Sequence, residues 1–439
     1  MADLSSAFAQ WLLTQLENLP TGLLRDGGEL LSADRLLAHV FEGRESAHVR
    51  ALLQMPQEGT ARRNTILIPG LLGSLLASTR GLSAMLWFNP AILMDGHLNL
   101  MDLAADGRSD RSPDVDISPV GIEKMTYLEL IRTLAAHTRL YQFPYDWRRH
   151  IESNADLLHE SICRWNQADP ERRYTIVAHS MGGLVARTYF ARYPHEAERC
   201  IDRVIMIGTP YNGTPSIMMT FTEEQHPGRL VNRLNEQNDM LGFTANLPSL
   251  YQLLPPPPEL YRPEWVYPFD WDIYDAPAWG LPWIRQDYLN DARALHQVLD
   301  ATDPQIEMIG IVGCHQRTVD RVSLNPDNPE APLTFYYEEN GTSSGDDKVP
   351  IWSAGDSRLS IYYVEETHAR LVSHEEVLQA VIDLVYAQRA NLPRELPERR
   401  QTLKGLGAAP LVQQVTELRE RMEQGRITRK DIEAFFFDR

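Results

Sequence analysis

The stretch TIVAHSMGGLVAR, residues 175–187, places a serine between a histidine and a methionine and follows them with two glycines. An alcohol is a weak nucleophile near neutral pH and needs a base beside it. Lifting it out of the chain on a sharp turn exposes it to both base and substrate. The pentapeptide Ala178-His179-Ser180-Met181-Gly182 suits that purpose. Small residues at its first and last positions let a strand, a tight turn and a helix approach closely, the pattern of a nucleophile elbow. A helix starting there aims its free N–H groups and positive dipole end at the hydroxyl. Ser180 is therefore the candidate nucleophile.

A base and an acid are then required, in the chain order serine, acid, histidine. His368, in VEETHARLVSHEE, follows an apolar strand pattern and precedes the last helical pattern, the expected position of a base. His374 competes, but beside Ser373 and before Glu375 and Glu376 it reads as a helix start. GDDKVP, residues 345–350, offers Asp346 as the carboxylate that fixes the imidazole tautomer, with Asp347 as the alternative. An oxyanion forming on the substrate needs two backbone donors. Met181, just after the nucleophile, offers one. Leu71 offers the other from IPGLLGS, where Gly70 permits a tight turn. His179 is too close to Ser180 to act as its base and is expected to line the substrate pocket with Leu72 and Tyr211. In YDWR, residues 145–148, Asp146 and Arg148 are expected to pair and Trp147 to pack beneath the elbow loop, as support.

These groups need a frame. Apolar, β-branched runs occur at 64–68, within 138–149, at 174–180, 201–210, 306–313 and 359–367. Helical patterns fill 151–167, the stretch from Gly182 to the stop at Pro194, and 373–388. Alternating strands and helices predict a mostly parallel sheet flanked by helices. The candidate residues fall just after strand ends, where open α/β sheets place their sites.

The expected organisation is an N-terminal helical segment at 1–60, a core at 61–213 and 301–390, an insertion at 214–300, and a linker with a helical tail at 391–439. The insertion is rich in proline and aromatic residues and contains PPPP at 255–258. It is expected to form a cap whose aromatics line an apolar pocket. In the tail, Thr428 and Asp431 resemble a capping box, and Phe435, Phe436 and Phe437 need a partner surface, on this chain or on another copy.

Composition narrows the function. Lys plus Arg number 42 and Asp plus Glu 60, a net charge of −18, which disfavours nucleic acid and anionic lipid surfaces. No run has the roughly 18 apolar residues of a membrane span. The N-terminal stretch reads as an amphipathic helix rather than a signal peptide. Three scattered cysteines without a CxxC read as reduced thiols, so a cytoplasmic location is expected. No clustered metal-ligand spacing and no phosphate or dinucleotide fingerprint occurs, so no metal or cofactor is expected.

Taken in order, PGLLGS (69–74), YDWR (145–148), AHSMGG (178–183), GTPYNG (208–213), LPSLYQLLP (247–255), GDDKVP (345–350) and His368 resemble the lecithin:cholesterol acyltransferase family of α/β-hydrolases. The motifs span about residues 62–385, with Ala178 before the elbow and Lys348 where the family carries threonine. The resemblance implies an α/β-hydrolase fold with an inserted cap and an acyl-enzyme mechanism on lipid or other apolar esters. It implies Ser180, Asp346 and His368 as the triad, with Leu71 and Met181 as oxyanion donors. Hydrolysis is the expected reaction. Acyl transfer to an alcohol is the alternative, and a catalytically inert interaction protein is the reading from a different class.

Overall fold

Short β-branched runs bounded by Pro-Gly or Gly-Thr turns build the centre of the protein. The computed structural model describes residues 62–398 except 79–84, 88–91, 94, 223–231, 233–234, 262–266 and 329–330. The expected N-terminal segment, the capping box at Thr428 and the terminal phenylalanines lie outside the described residues.

The strands in chain order are β1 (Asn64–Ile68), β2 (Ser74–Ser78), β3 (Met85–Trp87), β4 (Ile117–Ile122), β5 (Arg139–Gln142) and β6 (Tyr174–His179). They continue with β7 (Ile201–Ile207), β8 (Glu307–Gly313), β9 (Thr318–Leu324), β10 (Leu333–Glu338) and β11 (Ser360–Val364). The helices used below are α1 (Lys124–His137), α2 (Ile151–Trp165), α3 (Met181–Arg192), α4 (Gln286–Asp300) and α5 (Glu375–Val385).

Six strands form the central sheet in the order β11-β8-β7-β6-β1-β5, and every adjacent pair is parallel. They are the six runs that the sequence marked. Every residue of β6 is buried, as a strand covered on both faces requires. Register sets the geometry of the functional edge. Ile68 of β1 lies opposite Ala178 of β6, and His179 lies opposite Ile207 of β7. The turns after β1, β6 and β7 therefore leave the sheet side by side.

Two smaller sheets were not legible as separate units. β2 pairs with β3 and β4 in an antiparallel sheet, and β9 with β10 form an antiparallel hairpin. The first brings the chain after β1 against the start of α1, since Ser74 pairs with Ile122. The second leads from β8 into the Asp346 loop.

The 214–300 stretch divides. Its last part, α4, packs on the elbow helix α3 as a core helix, and His296 Nε2 donates to Leu254 O at 2.7 Å. Earlier, the aromatics pack on one another: Trp271 with Trp279, Trp279 with Phe221, and Phe221 with Tyr251. Trp279, Phe221 and Tyr251 are fully buried, so they form the interior of this segment rather than an open lining. Residues 391–398 run beside β11, where Tyr363 N–H donates to Pro393 O at 2.8 Å.

Candidate active site

Ser180 sits between β6 and α3 with φ 52° and ψ −128°, a strained backbone for a residue with a side chain. It makes no side-chain cap to its own helix, and its backbone N–H is held by Ile207 O at 2.9 Å. The glycines after it are steric necessities. A Cβ on Gly182 would lie 2.5 Å from Pro69 O, and one on Gly183 would collide with Thr209. Ala178 is fully buried.

The imidazole of His368 is paired with one carboxylate. Its Nδ1 lies 2.7 Å from Asp346 Oδ2, while Asp346 Oδ1 accepts from the backbone of Lys348 at 3.1 Å and Val349 at 2.7 Å. Asp347 has φ 81° and points elsewhere. Its carboxylate accepts from the His368 backbone N–H at 3.1 Å and pairs with Lys348 Nζ at 3.0 Å. Burial works against charging His368, but Asp346 outweighs it and raises the histidine above its ordinary value. Burial holds the Asp347 carboxyl above its usual range, against the pull of Lys348. Gly208 lies under the His–Asp pair, where a Cβ would sit 3.0 Å from Asp346 Oδ2 and 3.1 Å from His368 Nδ1. His374 stands outside this group, at the start of α5.

The loop from Pro69 to Ser74 is tied down by aromatic side chains. Tyr145 Oη donates to Pro69 O at 2.9 Å, Trp87 Nε1 to Leu72 O at 3.0 Å, and Trp147 Nε1 to Ser74 O at 3.2 Å. Gly70 N–H donates to Tyr127 Oη at 2.7 Å. The loop passes so close to the nucleophile that a Cβ on Gly70 would lie 2.8 Å from Ser180 Cβ. Leu71 and Leu72 follow directly, half-buried, with Leu72 at φ 64°. Trp147 thus supports the loop after β1 rather than the elbow. Met181 opens α3, where the first N–H groups have no helical acceptor.

The expected pair at 146 and 148 is present and larger than anticipated. Arg148 is fully buried and bonds Asp146 at 2.7 and 2.9 Å, Asp110 at 2.9 Å and Met101 O at 2.8 Å. Tyr211 is 3 % exposed, with the Arg187 guanidinium 3.4 Å from its ring centroid and Arg358 at 5.0 Å. His179 is buried as well, its ring centroid 4.8 Å from that of His368. Sequence reasoning missed Tyr127 and Trp87, because nothing local marks either residue. Among the described residues no group of His, Cys, Asp and Glu is arranged to hold a metal ion. No described helix is long and apolar enough to cross a membrane.

A parallel sheet whose β6 runs through a strained serine into a helix, with a His–Asp pair on loops after later strands, is the α/β-hydrolase architecture, and that is the fold class of this protein. Residues 122–274 match the lecithin:cholesterol acyltransferase family, a segment that contains Ser180 but not Asp346 or His368. Over that segment, about a third of the chain, the protein is similar to this family. Lecithin-cholesterol acyltransferase-like 4 of Arabidopsis thaliana is 24% identical over 141 residues, 30% of this chain and 24% of that protein, so the match spans about a quarter of the relative's length. The mature Bacillus licheniformis lipase BlEst2 has 12% identity and a TM-score of 0.38, covering 76% of this chain and 94% of that one. A metagenomic carboxyl esterase, MGS0156, has 14% identity and a TM-score of 0.33, covering 72% and 68%.

Proposed function

We propose that the protein is a serine esterase of lipid or other apolar esters, working through an acyl-enzyme. The observation that supports this most directly is the Asp346–His368 pair at 2.7 Å beside a serine on a strained elbow. In this reading, Ser180 Oγ attacks the acyl carbonyl carbon as His368 Nε2 takes its proton. Asp346 holds Nδ1–H and stabilises the imidazolium. The N–H groups of Leu71 and Met181 receive the oxyanion. Collapse of the tetrahedral species breaks the ester bond, and the leaving alcohol departs with the proton from His368. Water, deprotonated by His368, then attacks the acyl-enzyme, and Ser180 recovers its proton as the carboxylic acid leaves. An alcohol in place of water gives acyl transfer, the second reading, which the acyltransferase name of the matched family supports.

A fluorophosphonate probe and p-nitrophenyl esters of graded chain length test the proposal. Labelling on Ser180, lost in Ser180→Ala together with esterase activity, is the expected result. An unlabelled Ser180 in folded protein refutes it. Product analysis with and without added alcohol separates hydrolysis from transfer. The three cysteines, none in a disulfide, support a reducing compartment such as the cytoplasm as its location.

A further inference from the structure

The site contains a second histidine that the mechanism does not use. His179 is buried, and both of its ring nitrogens are engaged: Nδ1 lies 2.7 Å from Tyr127 Oη, and Nε2 lies 3.2 Å from the backbone carbonyl of His368. The two ends of this chain of contacts fix its direction. A carbonyl only accepts, so His179 carries its proton on Nε2 and donates to His368 O. Nδ1 is then an acceptor, and Tyr127 must donate to it. Tyr127 Oη in turn accepts from Gly70 N–H at 2.7 Å. One directed path therefore runs from Gly70 through Tyr127 and His179 to the backbone of His368.

Every link is used once, and protonation of His179 would break the middle one, because Nδ1–H could no longer accept from Tyr127. Burial, with His368 close by, holds His179 well below the ordinary histidine value, and burial raises Tyr127 so that its hydroxyl keeps its proton. Ser180 is the residue after His179, and Gly70, at one end of the path, lies against its Cβ.

We propose that Tyr127 and His179 are positioning residues that couple the oxyanion loop to the loop bearing the base. This rests on the esterase reading for its catalytic consequence, but not for the network itself. Fixing Gly70 presents the next N–H, that of Leu71, to the oxyanion. Fixing the carbonyl of His368 sets the height of its imidazole over Ser180. His179 remains a neutral, Nε2-protonated spacer while His368 gains and loses its proton.

Two measurements test this on the full chain. Nitrogen NMR of 15N-histidine-labelled protein, assigned with His179→Gln, should show His179 neutral with its proton on Nε2 from about pH 5 to 9, a window that spans the ordinary histidine pKa. Titration within that range, or a proton on Nδ1, overturns the network whether or not the protein is an esterase. Kinetics test the role. Tyr127→Phe removes its link to His179 and also the acceptor of Gly70 N–H, and His179→Gln keeps an amide donor for His368 O while losing the Nδ1 that accepts from Tyr127. Each should lower kcat about 10- to 100-fold with KM within about twofold, the signature of lost transition-state contacts. Because both cut the same link, the double variant should lose no more than about threefold beyond the worse single one. Single variants with wild-type kcat, or a double variant whose loss is the product of the two, overturn the coupling. Failure of the wild type to label at Ser180 would instead refute the esterase reading and this role with it, leaving the NMR result to judge the network.

Discussion

Replacing Gly70 with alanine adds one carbon at the closest approach between the oxyanion loop and the nucleophile. That carbon would lie 2.8 Å from Ser180 Cβ, 3.2 Å from His179 Nδ1 and 3.3 Å from Tyr127 Oη. Non-bonded carbons prefer about 3.5–4.0 Å, so the loop must retreat by roughly 0.7–1.2 Å. Gly70 does not have a positive φ, so alanine is tolerated by the backbone and the collision alone carries the effect. With Leu71 N–H as the proposed oxyanion donor, a retreat by that distance takes it out of hydrogen-bonding range. Losing one such donor costs about 100- to 1000-fold in kcat, and misplacement by about 1 Å costs about 100-fold. The expected result is kcat reduced about 100-fold with KM within about twofold, since the donor acts on the transition state. Overpacking should also destabilise the fold by about 1–3 kcal/mol. Steady-state hydrolysis of p-nitrophenyl esters and thermal unfolding measure both effects. Gly121→Ala is the control, because its added carbon would meet only Leu75 Cδ1, at 3.8 Å. If Gly70→Ala keeps kcat within about threefold of wild type while Gly121→Ala behaves the same, the loop after β1 does not supply the oxyanion donor.

Other outcomes follow from the same geometry. Asp346→Asn should lower kcat by about 1000- to 10,000-fold by removing the charge that orients His368, whereas Asp347→Asn, which loses contacts to a backbone N–H and Lys348, should stay within about tenfold; a reversed order refutes the assignment. Because Asp346 raises His368, and the base must be neutral to act, kcat/KM should rise with pH through a midpoint above the ordinary value of about 6.5. The same raised group stabilises the fold fully below the unfolded histidine pKa and loses that contribution as pH rises through the folded value, which urea titrations across this range should detect. Arg148→Met leaves Asp146 and Asp110 only the partly exposed Arg149 as a cation, at 3.0 and 3.9 Å, and should cost about 2–4 kcal/mol in urea unfolding; a loss below about 1 kcal/mol would refute that role for the cluster.

The amino-acid sequence by itself determined the six core strands and the strand–turn–helix at Ser180, and it marked the residues at 346–347 and 368 as candidates. These are local properties: β-branched runs that end at Gly or Pro, a small-residue pattern around Ser180, and a histidine between a strand and a helix. Only the tertiary structure decided which carboxylate faces the imidazole, because the answer lies in backbone direction: φ 81° at Asp347 turns that side chain toward the His368 N–H and Lys348. It also supplied the contacts of His179, which is expected from sequence to line the pocket and is held between Tyr127 Oη and His368 O. Tyr127 lies 57 residues from Gly70 in the chain, and Trp147 lies 73 from Ser74. Tyr127 meets the loop after β1 only when the pairing of β2 with β4 sets α1 beside it, and Trp147 only when β5 pairs with β1. Side-chain pattern dictates secondary structure over a few residues, but the partners that hold an active-site loop are chosen by strand register, which is fixed only when the whole sheet assembles.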